Sequence, residues 1–269
     1  MSALPIDLAT DLDLSRIRAI TLDLDDTLWP VWPTIARAEA QLQSWLQQHA
    51  PAAHALAGQP GVARSIRTQV VAEQVGLAHD MSALRHEMIR QTLLRAGEDP
   101  ALAGAAFGVF YAERQRVDLF DDALPALELL SRRFALVALT NGNADVNLVG
   151  LGRFFHASVS ARDAGVAKPD VRIFHCGAEA AGVAAAQVLH VGDDALLDAQ
   201  GALDAGMQAV WLRRPTGSNG TGSSRSQGKA TAGAPAHHPS QEPATAEPIA
   251  PACRAVENLH QLCQLLGLA

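Results

Sequence analysis

The rhythm of apolar and polar positions changes along the chain, and each change marks a different kind of structure. Residues 18–28, RAITLDLDDTL, form an apolar run that stops abruptly on acidic residues and a threonine. This is the pattern of a buried strand ending in polar chemistry. Residues 33 to 116 then show helical periodicity in the stretches TIARAEAQLQSWLQQ, GVARSIRTQVVAEQ, DMSALRHEMIRQTLLRAG and DPALAGAAFGVFYAERQRV. Turn residues and helix caps separate them at Pro51, Pro60, Gly76 to Asp80 and Gly97 to Pro100.

From residue 121 helix and strand alternate. The pattern predicts a helix over DDALPALELLSRR, a strand over FALVALT, a helix around VNLVGLGRFF and a short strand near ASVSA. A helix over PDVRIFHCGAEAAG, opened by Pro169, the strand VLHVGD, the helix ALLDAQGALDAG and the strand MQAVWL follow. Strands alternating with helices across short loops imply an α/β fold with a doubly wound parallel sheet. Residues 1–29 and 118–269 are therefore expected to form that core, with 30–117 inserted after the first strand as a helical cap. Residues 215–250 are almost all Gly, Ser, Thr, Pro and Ala, too poor in apolar surface to offset the entropy of ordering, and are expected to be a disordered insertion. His237 and His238 within it have no further metal ligands at useful spacing. The tail RAVENLHQLCQLLG reads as a returning helix with Leu259, Leu262 and Leu266 on one face.

The predicted strand ends gather the candidate chemistry. Asp23 and Asp25 are two apart, so on a strand they face the same way and share one site, while Leu24 faces the packing. Two carboxylates at 4 Å repel by about 4 kcal/mol at an effective dielectric near 20, so they need a cation, a shared proton or a chemical task. Asp26 is equally well placed as a helix N-cap. FALVALT ends on Thr140 followed by Asn141 and Gly142; this is either an ordinary Asn-Gly turn or an oxyanion cradle of a hydroxyl and backbone N–H groups. Lys168 lies in GVAKPD, and VLHVGDD ends on Asp193 and Asp194 with Asp198 one helical turn on.

Charge and composition narrow the partners. A formal net charge of −7 and the lack of any basic cluster with interleaved aromatics argue against nucleic acid. The N-terminus MSALPIDLATDLDL is acidic with no apolar core, and no run reaches the ~18 apolar residues of a membrane span. The expectation is a cytoplasmic location without a membrane partner. Cys176, Cys253 and Cys263 are irregularly spaced with no C-x-x-C, as expected of reduced thiols without a metal or catalytic role.

Together LDLDDTL, LVALTNGN, AKPD and VGDDALLD, in this order, resemble the motifs of the haloacid dehalogenase superfamily, whose members mostly transfer phosphoryl groups. LVALTNGNADVNLVGLGRFF and VLHVGDDALLDAQGALDAGMQAVWLR further resemble a bacterial branch that dephosphorylates 5-amino-6-(5-phospho-D-ribitylamino)uracil and flavin mononucleotide. The resemblance implies Asp23 as nucleophile, Asp25 as general acid and base, and Lys168 as the fixed cation. It implies Mg²⁺ held by Asp23, Asp25 through its backbone carbonyl, and Asp193, a small set of hard oxygen donors suited to that ion. Thr140, Asn141 and Lys168 would bind the phosphoryl oxygens, with Asp194 and Asp198 in support behind the ligands. Trp29, directly after the catalytic loop, could stack on a flat heterocycle, or could pack between core and cap together with Trp32. A sugar phosphomutase would keep the same core motifs, and a silent scaffold would need none of them.

Overall fold

The computed structural model describes residues 12–215 and 253–268. All but the first residue of the expected disordered insertion, His237 and His238 included, therefore lies outside the described residues. The described chain divides into two compact units, one of residues up to Trp29 and from Leu119 onward and a second of Pro30–Asp118.

The first unit is built on a parallel sheet in the order β3-β2-β1-β4-β5-β6. Its strands are β1 (Ala19–Leu22), β2 (Ala135–Thr140), β3 (Ala157–Ser160), β4 (Val188–Gly192), β5 (Gln208–Leu212) and β6 (Arg254–Val256). Every residue of β1 is buried, because a central parallel strand is covered on both faces and tolerates no polar alternation. Register pairs Thr21 with both Val137 and His190. Ile173 and Phe174 of one crossover helix, Val171–Ala180, pack with Ala19, Leu139 and Val188 of the sheet. The helix Ala123–Ser131 buries Ala126, Leu127 and Leu130, and the C-terminal helix Leu259–Leu265 packs against it.

The second unit is helical: α1 (Val31–His49), α2 (Pro51–Ala57), α3 (Val62–Glu73), α4 (Met81–Arg95) and α5 (Ala103–Arg114). Ala38, Leu42, Leu46, Ile89, Leu93, Ala106 and Phe110 form its main core. Ile66, Val70 and Leu84 make a smaller cluster beside Met81 and Met88.

Some sequence expectations are corrected. Pro51 opens a further helix, α2, because its missing N–H is harmless at the first helical position. Only one helical turn forms in VNLVGLGRFF: Gly150 takes φ 90°, and the Leu151 N–H turns back to the Val146 carbonyl at 2.8 Å, a glycine-terminated stop. Asp170, not Pro169, caps the helix that follows Lys168, its side chain accepting from the Arg172 N–H. The tail is not helical throughout, since Arg254–Val256 adds a parallel strand to β5 before Asn258 caps the final helix.

Candidate active site

The sheet order reverses its sequence direction about β1, so the crevice of this fold opens at the carboxyl end of that strand. Asp23 stands one residue past β1, and its N–H still joins the ladder, donating to the Val191 carbonyl at 2.9 Å. Beyond it the chain reverses: Asp26 adopts φ 56° and donates its N–H to the Trp29 carbonyl at 2.8 Å. Asp26 thus shapes a tight loop and caps no helix, as α1 begins only at Val31.

A chain of buried polar groups runs inward from Asp23. Lys168 Nζ donates to Asp23 Oδ1 at 2.5 Å and to Asp198 Oδ1 at 2.6 Å. His190 Nε2 lies 3.2 Å from Asp198 Oδ1, and His190 Nδ1 lies 2.8 Å from Thr21 Oγ1. Burial alone would raise the Asp198 carboxyl, but the Lys168 charge and the His190 hydrogen bond outweigh it and hold the group well below the ordinary range. Burial would likewise lower Lys168, but Asp198 and Asp23 keep the ammonium above its ordinary value. Burial depresses His190 despite its contact with Asp198 and so favours the neutral ring. An ionised carboxylate only accepts, so Nε2 carries the proton and Nδ1 accepts from the Thr21 hydroxyl.

Neighbouring loops fix the remaining groups. Thr140 is buried, and its hydroxyl accepts from the Gly142 N–H at 2.9 Å and keeps its own proton to donate. The Asn141 side chain grips the backbone of Lys168 from both sides, accepting its N–H at 2.7 Å and donating to its carbonyl at 3.0 Å. That side chain therefore works as a brace for Lys168, which the Asn-Gly pattern alone did not reveal. Asp193 Oδ1 accepts from Thr27 Oγ1 at 3.3 Å, and its carbonyl accepts the Trp211 indole N–H at 2.8 Å. A Cβ on Gly192 would fall 2.3 Å from the Asp198 carboxyl carbon, so only glycine lets Asp198 reach this position.

Two sequence expectations change. The Asp194 carboxylate accepts from the N–H groups of Leu196 and Leu197, both at 2.8 Å. It is a cap, and only its backbone N–H supports the site, donating to Asp198 Oδ2 at 3.0 Å. Trp29 is 0% exposed and donates its indole N–H to Asp25 Oδ1 at 2.8 Å. A ring so buried has no face for a ligand; Trp29 instead holds the Asp25 side chain. Sequence reading also passed over His190, Thr21, Thr27 and Trp211. The available signal was Thr21 and His190 as polar interruptions in otherwise apolar strands.

The donor set suits a hard divalent cation. Carboxylate oxygens of Asp23, Asp193 and Asp198 lie within 4.8 Å of one another. Burial, with the nearby charges of Asp198 and Asp25 added, raises Asp23 to about 7 despite Lys168. Burial and the charges of Asp23, Asp198 and Asp26 raise Asp193 well above its ordinary value. One ammonium does not balance this cluster, and a bound dication would. Asp198 is already engaged with Lys168, His190 and the Asp194 N–H, which makes Asp23 and Asp193 the better candidates for side-chain ligands.

Comparison with known proteins agrees with this geometry. Residues 17–206 match the model of the haloacid dehalogenase-like hydrolases. The chain is similar to 5-amino-6-(5-phospho-D-ribitylamino)uracil phosphatase YigB of Escherichia coli (strain K12), 36% identical over 76% of this chain and 87% of that protein. It is also similar to the glyceraldehyde 3-phosphate phosphatase of Methanopyrus kandleri, 29% identical over 74% of this chain and 84% of that one. Among solved structures it resembles a 2-haloacid dehalogenase from Pseudomonas syringae pv. Tomato DC3000, with 33% identity, a TM-score of 0.74, and 93% of this chain and 98% of that one covered.

Proposed function

The chain belongs to the haloacid dehalogenase-like hydrolases, and from that premise we propose that it is a phosphomonoester hydrolase working through an aspartyl phosphate. Asp23 attacks phosphorus in line, and the bond to the leaving alkoxide breaks as Asp25 donates a proton to it. Asp25 then takes a proton from the water that attacks the aspartyl phosphate, releasing inorganic phosphate and regenerating Asp23. Lys168 and the Thr140 hydroxyl, with the backbone at Asn141, hold the transferring oxygens. A divalent ion such as Mg²⁺, held by Asp23, the Asp25 backbone carbonyl and Asp193, would supply the positive charge that lets an anionic nucleophile meet an anionic phosphate. Trp29 keeps the Asp25 side chain turned to its task, and Asn141 and Asp198 hold Lys168.

The single observation that carries this reading is the buried Asp23–Lys168–Asp198 chain with Asp193 beside it. Similarity to a 2-haloacid dehalogenase raises a rival, but halide departs as a stable anion and needs no proton. An acid placed two residues after the nucleophile and an acidic cluster suited to a dication have a purpose in phosphoryl transfer and none in halide displacement. For substrate we favour a phosphorylated ribityl compound, 5-amino-6-(5-phospho-D-ribitylamino)uracil or flavin mononucleotide, supported by the 36% identity to YigB.

The test is phosphate release from p-nitrophenyl phosphate, the two ribityl phosphates, a sugar phosphate panel and glyceraldehyde 3-phosphate, with Mg²⁺ and with EDTA. Mg²⁺-dependent release, fastest on a ribityl phosphate, is the expected result. Chloride release from 2-chloropropionate without phosphate release would overturn the reaction class. Faster release from another phosphate would overturn the substrate alone.

A further inference from the structure

Arg214 stands outside the strand-end motifs, two residues beyond β5, and its side chain is only 11% exposed. Its guanidinium donates through Nε and Nη2 to the Thr27 carbonyl, at 3.2 and 2.7 Å. Through Nη1 and Nη2 it donates to both oxygens of Asp122, at 3.2 and 3.0 Å, and it lies 3.8 Å over the Phe120 ring. Asp122 also accepts the Leu259 N–H at 2.7 Å, and the Phe120 N–H donates to the Leu28 carbonyl at 3.0 Å. One planar fork thus ties the chain where it leaves the catalytic loop at 27–28 to the chain where it returns at 120–122. Thr27 is held at both ends, its carbonyl by Arg214 and its hydroxyl on Asp193 Oδ1.

We propose that Arg214 is a positioning residue of the catalytic site: it locks the loop of residues 25–29 and, through Thr27, sets the orientation of Asp193. The proposal rests on the reading of Asp23, Asp25 and Asp193 given above. Arginine suits the position because its rigid fork reaches a carbonyl and a carboxylate in one plane, whereas a lysine ammonium is a point donor on a flexible stem.

The test compares Arg214→Met, Arg214→Lys and Asp122→Asn with wild type. Mg²⁺ affinity is read by calorimetry, kcat and KM with p-nitrophenyl phosphate, and folding by circular dichroism. Arg214→Met should lower kcat by about tenfold or more and weaken Mg²⁺ binding by about threefold or more while the protein is folded, with KM within about twofold. Arg214→Lys should fall between. Asp122→Asn keeps the Thr27 contact and should melt earlier with kcat and Mg²⁺ affinity within about twofold. Wild-type kcat and Mg²⁺ affinity in folded Arg214→Met, with only a lower melting temperature, would make the residue a mere staple and overturn the proposal. Should Arg214→Met fail to fold, wild-type values in Arg214→Lys overturn it equally. If the wild type binds Mg²⁺ but releases no phosphate, the functional reading falls and the Mg²⁺ titration still decides the role of Arg214; if it does neither, both fall.

Discussion

In the sheet unit Lys168 bridges Asp23 and Asp198 with side chains 2% to 10% exposed, whereas in the helical unit Arg90 meets Glu87 and Arg85 meets Glu39 with side chains 16% to 38% exposed. The distances are similar, between 2.5 and 3.0 Å, so geometry does not distinguish the pairs. Solvent does. Water screens the helical pairs and would solvate either partner left alone, while a partner removed from the buried set strands a charge where nothing replaces it. The helical unit draws its stability from apolar contacts such as Leu42, Leu46, Leu93 and Phe110. Buried pairing in the sheet unit is by itself no sign of a large net gain in stability, since desolvation offsets the attraction.

The comparison is tested most severely by Asp23→Asn, which keeps the shape of the site and removes the proposed nucleophile. Turnover should fall by about a thousandfold or more with the fold intact by circular dichroism, and retention of a tenth of wild-type kcat would sink the nucleophile assignment. Next in size is Lys168→Met, which leaves Asp23 and Asp198 facing each other without a counter-charge. It should lower stability by about 3–5 kcal/mol in urea unfolding and also abolish turnover; a stable variant with normal kcat would erase the distinction between the two units. Trp29→Phe retains an aromatic ring but loses the N–H on Asp25. An expected fall of about tenfold in kcat, with KM within about twofold, separates a brace from a substrate contact in steady-state kinetics. Smallest is Arg90→Gln in the helical unit, expected to change stability by less than about 0.5 kcal/mol and kcat not at all. A melting temperature several degrees lower would show that solvent-facing pairs matter here more than screening allows.

Much of the site was legible because its residues end strands, and a strand that switches from apolar to acidic announces itself in one dimension. Asp23 and Asp193 stand out in this way, Lys168, in a loop between helices, only through the family resemblance, and the structure brings the three together. For Trp29 the sequence leaves stacking on a ligand and packing both open, since it shows that an aromatic follows the loop but not which way its N–H points, and the structure buries the ring. Asp194 and Asp198 carry the same side chain four residues apart, yet one caps a helix and the other anchors Lys168. Arg214 was not singled out at all: every group it binds lies far away in the chain, at Thr27 and Asp122.

By itself the sequence determined what is local. Apolar runs set the strands, helical periodicity set most of α1 to α5, and the acidic strand ends marked the chemistry, because burial preference and backbone propensity are read within a few residues. Only the tertiary structure decided which polar groups share a proton or a charge. The pairing of Thr21 with His190, the grip of Asn141 on Lys168, and the strand at Arg254–Val256 all depend on a partner from a distant segment. A buried polar atom must find a hydrogen bond, but which partner it finds is fixed by how the sheet stacks its strands, and that is a property of the fold.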